Sequence, residues 1–260
     1  MEFLSASHTD VGLRKKTNQD SVLVKLAETD YGKVFFAVIC DGMGGLAKGE
    51  LASATLIKAF SEWFEQTFPK IFYQAVQNGG LGITDLQDSW DTVIQDTNDR
   101  LHAYSDDFHT SLGTTCVGLL LYKNQYYVFN VGDSRVYLIN QSAKQITKDQ
   151  TWVQREMDEG RMTEAEAKIH PQQNVLLQCV GASQIIIPDF YNDGFENGVV
   201  FMLCSDGFRH LITNDELYAG LNSGVLNNEK VMKDAAVYFT ELNKQRNERD
   251  NISVILVRAD

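Results

Sequence analysis

Three strand-like apolar runs in this chain end or begin at an acidic residue. Residues 34–40 lead into Asp41-Gly42, residues 199–205 lead into Asp206-Gly207, and Asp250-Asn251 stands directly before the run 252–257. A fourth carboxylate, Asp20, closes Thr17-Asn18-Gln19-Asp20 near the N-terminus. A carboxylate beside a buried strand is expensive to desolvate unless something cationic neutralises it. Four such positions call for one shared partner, and hard divalent cations, which prefer oxygen ligands, are the natural one. The fold must then bring these strand ends together.

The remaining pattern is strand-rich at both ends. Runs at 21–26 and 34–40 flank a turn at Asp30-Tyr31-Gly32. Runs at 114–122 and 125–131 are joined by Lys123-Asn124 and read as a hairpin. Strands at 135–140, 199–204 and 252–258 complete the set, and several are apolar at nearly every position, as strands buried on both faces are. Apolar residues at three- and four-residue spacing predict helices over 51–68, 89–104 and 228–244. Residues 148–181 are polar and helix-leaning, and they interrupt the strand series, which predicts a surface flap. Helices separate groups of strands rather than single strands. That favours an α+β sandwich over a doubly wound parallel sheet. With three prolines in all and no composition break, residues 1–260 read as a single domain.

Composition excludes several function classes. A net charge of −12 and a pI near 4.8 repel nucleic acid and anionic membranes, so neither is an expected partner. Hydrophobic content of 43% and charged content of 22% suit a soluble globular protein with a sizeable core. The longest apolar runs are about seven residues, far short of the ~18 needed to span a bilayer. The N-terminus has no basic segment followed by an apolar one, so a cytoplasmic location is expected. Cys40, Cys116, Cys179 and Cys204 lie in or beside apolar runs with no Cys-x-x-Cys spacing, which points to buried reduced thiols.

Taken in order, six short motifs resemble those of the metal-dependent protein phosphatases, the protein phosphatase 2C-like serine/threonine phosphatases, and especially their compact bacterial members. They are Thr9-Asp10-Val11-Gly12 with Asn18-Gln19-Asp20, Asp41-Gly42-Met43-Gly44-Gly45, Gly113-Thr114-Thr115, Val131-Gly132-Asp133-Ser134-Arg135, Leu203-Cys204-Ser205-Asp206-Gly207 and Arg249-Asp250-Asn251. Each is weak singly; the ordered set spans essentially the whole chain. Residues 170–176 are also similar to the family's flap. The resemblance implies two packed, mostly antiparallel sheets with helices outside (α/β/β/α) and a metal site at one end. It implies that Asp41 bridges two Mn²⁺ or Mg²⁺ ions, that the Gly42 carbonyl ligates one, and that Asp206 and Asp250 hold the other. Asp20 would ligate directly or through water, and Asp133 with Asp206 would hold a weaker third ion. The reaction implied is hydrolysis of phosphoserine and phosphothreonine in proteins by a metal-bridging water or hydroxide, with phosphoprotein substrates, a cognate kinase and a monomeric enzyme as expectations. Phosphate monoester hydrolysis needs accelerations of up to ~10²¹, and two divalent ions meet much of that demand without a side-chain nucleophile. Consistently, the chain has neither a Cys-x5-Arg loop nor a Ser-His-Asp constellation.

The chain departs from the family pattern at three places. Lys15, with Arg14 beside it, stands where an arginine usually clamps the substrate phosphate; lysine binds phosphate as a point charge without the bidentate fork. Lys15 is the expected phosphate ligand and the catalytic cation beside Asp41 and Asp206, with Arg14 as the other candidate. Met43 replaces a histidine proposed elsewhere as general acid, and none of His8, His102, His109, His170 or His210 falls at such a position. Gln19 replaces the commoner glutamate, keeping hydrogen bonding toward a metal-bound water while removing one charge. The Lys15 and Gln19 departures leave open a second reading, a catalytically weak module of the same fold that binds phosphoprotein.

Overall fold

The computed structural model describes residues 1–43 and 48–260; Gly44 and Gly45 of the second motif lie outside the described residues. Among the described residues, ten strands form two five-stranded sheets. One runs in the order β1 (Phe3–Asp10), β10 (Ile252–Ala259), β9 (Val199–Cys204), β6 (Arg135–Ile139), β7 (Ala143–Gln145). The other runs β2 (Asp20–Thr29), β3 (Gly32–Asp41), β4 (Cys116–Tyr122), β5 (Gln125–Val131), β8 (Asp189–Gly194). Every recorded pairing is antiparallel.

The near-continuous apolar strands are explained by burial of both faces. In β3, Phe35, Ala37 and Ile39 enter the layer between the sheets, while Val34, Phe36, Val38 and Cys40 pack under α1 (Gly49–Glu62), α2 (Phe68–Gln77) and α3 (Ile83–Phe108). In β9 and β10, Phe201, Leu203, Ile255 and Val257 face the same inter-sheet layer. Val200, Met202, Val254 and Leu256 face α7 (Asn214–Leu221) and α8 (Glu229–Gln245). The result is the expected α/β/β/α layering.

Some elements differ from the sequence expectation. The helix expected over 51–68 runs on: α1 passes through one π-helical stretch, Trp63–Thr67, into α2. Pro69 follows in the first turn of α2, where its ring lacks the N–H that a continuous helix would donate to the preceding turn. Aromatic contacts fix this bend, with Phe64 stacked on Phe36 at 5.4 Å between ring centroids. Helix α3 starts six residues earlier than expected and ends later. Strands β1, β7 and β8 have no apolar run of their own: β1 and β8 are half-exposed edge strands and β7 is three residues long. The flap does carry helices, α4 (Trp152–Asp158) and α5 (Glu164–Ala167), between β7 and β8. All four cysteines are buried free thiols. Among the described residues, no helix is long and apolar enough to cross a membrane.

Antiparallel pairing sends the acidic strand ends to one edge of the sandwich. Asp20 opens β2 directly opposite Asp41, which closes β3. Cys204, two residues before Asp206, pairs with both Val254 of β10 and Arg135 of β6. Asp250 and Asp133 therefore stand immediately outside the same edge.

Candidate metal centre

Lys15, Asp41, Met43, Thr115, Asp133, Asn174, Leu176, Asp206 and Asp250 line one pocket of about 220 Å³. Asn174 and Leu176 come from the flap. Asp20 stands behind this lining and is buried, its Oδ2 accepting a hydrogen bond from Ser205 Oγ at 3.0 Å. The structure thus gathers Asp41, Asp133, Asp206 and Asp250 in one cleft with Asp20 beneath it. Among the described lining residues Lys15 is the one cation; Arg14 is exposed and does not line the pocket.

The backbone around each carboxylate is tied down. The Asp41 N–H donates to Thr115 Oγ1 at 3.1 Å, and its carbonyl accepts from Thr115 N and from Thr114 Oγ1. Gly42 permits the close crossing that follows, since a Cβ there would stand 2.5 Å from the Gln19 and Gly49 carbonyl oxygens. Asn251 links three segments: its Oδ1 accepts from Gln19 N, and its Nδ2 donates to the carbonyls of Val11 and Thr17. It thereby brackets the loop that carries Lys15 and sets the start of β2. Glu248 accepts from the N–H groups of Arg249 and Asp250 and lies 3.6 Å from His210 Nδ1. His210 in turn has Nε2 3.7 Å from Asp206 Oδ2. These supports from Glu248 and His210 escape a sequence reading, because neither residue belongs to a recurring motif and each acts across the chain.

Electrostatics mark the site as incomplete without cations. Burial pushes the Asp20 carboxyl up to about 7, with Asp206 and Asp250 adding to the shift against the serine hydroxyls. Desolvation, then the charges of Asp20, Asp206 and Asp250, raises Asp41 well above the carboxylate range. Burial likewise lifts Asp133 to about 7. Asp20 Oδ1 and Asp206 Oδ1 are buried with no hydrogen-bond partner. An all-oxygen, strongly anionic donor set with orphaned oxygens suits hard divalent cations. Among the described residues, no three His, Cys, Asp or Glu side chains close a metal cage by themselves. One reason is visible at Asp250, whose Oδ1 is held by Lys15 Nζ at 2.7 Å. Burial alone would lower the Lys15 ammonium, but the hydrogen bond and charge of Asp250 outweigh it and raise its pKa.

Gln19 is placed differently from the expectation. Its amide Nε2 donates to Glu50 Oε2 at 3.2 Å, and it does not line the pocket. The shared strand-edge geometry and the ordered motifs agree with a comparison of whole sequences: residues 6–251 match the protein phosphatase 2C family. The chain belongs to that family. It is 30% identical over 226 residues to the serine/threonine phosphatase stp of Listeria monocytogenes, covering 86% of this chain and 84% of that one. The structure of the S. agalactiae serine/threonine phosphatase superposes with a TM-score of 0.83 at 27% identity over the full length of both chains. The catalytic domain of the serine/threonine phosphatase PstP, solved in complex with two manganese ions, gives a TM-score of 0.75 at 27% identity, covering 99% of each chain. In this chain, four of the five motif carboxylates line one pocket together with Lys15.

Proposed function

We propose that this chain is a metal-dependent protein phosphatase that hydrolyses phosphoserine and phosphothreonine in proteins. The single observation that carries the reading is the set of carboxylates gathered at one edge of the sandwich with two buried, unpartnered oxygens, on Asp20 and Asp206. Two divalent ions, Mn²⁺ or Mg²⁺, would be held by Asp41 with the Gly42 carbonyl and by Asp206 with Asp250, Asp20 contributing directly or through water. When bound, such ions lower the pKa of coordinated water and offset charge on the transferring phosphoryl group.

The chain's own residues supply positioning. Lys15 offers its ammonium to a phosphate oxygen; as a compact point charge it attracts without imposing a bidentate orientation. It must exchange its Asp250 contact for the phosphate. Asn251 keeps its loop against the strand ends, and Thr115 fixes the backbone of Asp41. Met43 lines the pocket and has no proton to donate, so it contributes shape alone. Phosphoproteins phosphorylated by a cognate Ser/Thr kinase are the substrates this reading assigns.

The test is p-nitrophenyl phosphate hydrolysis by purified protein with EDTA, Mg²⁺ or Mn²⁺ in parallel. Turnover that appears only with a divalent ion is expected. Turnover unaffected by EDTA, or none with any metal, would contradict the reading.

A further inference from the structure

The carboxylates of the pocket divide into two groups by what neutralises them. Among the described residues, Asp20, Asp41, Asp206 and Asp250 have between them two basic partners, Lys15 on Asp250 and the His210 imidazole 3.7 Å from Asp206. Asp133 has a cation of a different kind. Arg209 lies three residues after Asp206 on the short helix α6 (Asp206–Arg209), and Asp206 and Arg209 therefore stand one turn apart. Its Nη2 is 3.2 Å from the Asp133 carbonyl oxygen, 3.4 Å from Asp133 Oδ2 and 3.4 Å from Asp149 Oδ2. Asp149 is already satisfied elsewhere. Arg135 grips it with both forks, Nε to Oδ1 and Nη2 to Oδ2, each at 2.7 Å, and Gln145 Nε2 donates to Oδ1. Arg209 is thus shared between the two carboxylates, and among the described residues it is the ion-pair partner of Asp133. Only 11% of its side chain is exposed, and its Nε is buried with no hydrogen-bond partner. A guanidinium held in that position despite an unsatisfied donor is fixed by the charge it faces.

Arg135 and Arg209 together offset the charges of Asp133 and Asp149. A divalent ion ligated by Asp133 Oδ2 would bind an oxygen that already lies 3.4 Å from a buried guanidinium, one that cannot deprotonate. The four remaining carboxylates, by contrast, carry the charge that two divalent ions offset.

We propose that Arg209 takes the place of a third divalent cation at Asp133, so that this chain binds two ions in its cleft and no third. Asp133 then serves as an anchor for Arg209 and the turn after Asp206. It is a positioning residue instead of a metal ligand. The inference deepens the phosphatase reading and rests on it for the two-ion centre.

The experiment is Mn²⁺ stoichiometry on the whole purified chain, by isothermal titration calorimetry and by equilibrium dialysis up to millimolar Mn²⁺. Neither readout depends on activity. The wild type is expected to saturate at two ions, and Asp133→Asn to bind the same two. Arg209→Gln should gain a third, weaker site that the Arg209→Gln, Asp133→Asn double variant loses again. A third wild-type ion that Asp133→Asn removes would overturn the proposal while leaving the phosphatase reading intact. No ion bound at all would overturn that reading and the proposal with it. Should the variants fail to fold, the wild-type count alone decides, since a third ion in the cleft contradicts the role given to Arg209.

Discussion

Lys15 Nζ rests 2.7 Å from Asp250 Oδ1, and in the proposed reading the same ammonium serves this carboxylate in the free protein and a phosphate in the complex. Replacing Lys15 by Ala should raise KM for a phosphorylated substrate more than it lowers kcat, since the charge binds ground state and transition state alike. Lys15→Arg should lower KM below that of the wild type by adding the bidentate fork. A fall in kcat with KM unchanged in Lys15→Ala would place the phosphate elsewhere. Groups that hold a metal and groups that orient such ligands should separate by magnitude. Outer residues typically cost ~10–100-fold on removal. Asn251→Ala is expected within that range, through the loosened Lys15 loop, and Asp206→Asn well beyond it. Steady-state rates at saturating Mn²⁺ make the comparison, and equal losses would contradict the assignment. At this scale the sequence discloses the acidic residues because each stands at the start or end of a strand-like run and sits in a recurring motif. It does not disclose Glu248, His210 or Arg209, whose roles come from partners brought near only by folding. Gln19 shows the converse: a motif position suggests a metal-facing amide, and the tertiary structure gives that amide to Glu50.

Among the elements, α7 shows how local chemistry and packing reinforce each other. Thr213 caps the helix, and Glu216 completes the capping box by accepting from Thr213 N at 2.9 Å. The same Glu216 takes both guanidinium nitrogens of Arg246, just past the end of α8, and so fastens α7 to α8. The Arg246 hydrogen bonds, then the Thr213 contacts, hold the Glu216 carboxyl at about 2. A depressed carboxyl contributes stability above its unfolded pKa of ~4.3 and loses it as pH falls toward the folded value. Glu216→Gln should therefore be less stable than wild type in urea at pH 6, with the difference narrowing at pH 3. A difference that stays constant would mean the carboxylate charge is not what matters. Element by element, the strands legible from sequence are those whose two faces are both buried, such as β3, β9 and β10. Strand β1 is not legible, because its register with β10 and not its own composition makes it a strand. The π-helical passage between α1 and α2 is hidden for a related reason: the aromatic periodicity of 51–68 continues across it, and only the packing against β3 fixes where the bend falls.

For the molecule as a whole, the sandwich is a device for collecting strand ends. Among the described residues, ten antiparallel strands in two sheets leave the acidic termini of β2, β3, β5, β9 and β10 at one edge, where Asn174 and Leu176 of the flap join the pocket lining. That arrangement explains why the sequence carries its carboxylates so far apart, while the layered α+β fold is legible from helices that separate groups of strands. What could not be read is the pairing of Asp149 and Asp133 with Arg135 and Arg209, since this depends on side chains meeting across the flap boundary. The most direct test of the account is release of inorganic phosphate from a phosphothreonine peptide by the purified chain, wild type and Asp206→Asn, with Mn²⁺ and with EDTA. The account predicts phosphate release by the wild type with Mn²⁺ alone, abolished by EDTA and nearly lost in Asp206→Asn. Release at wild-type rate from Asp206→Asn, or from the EDTA-treated enzyme, would contradict it.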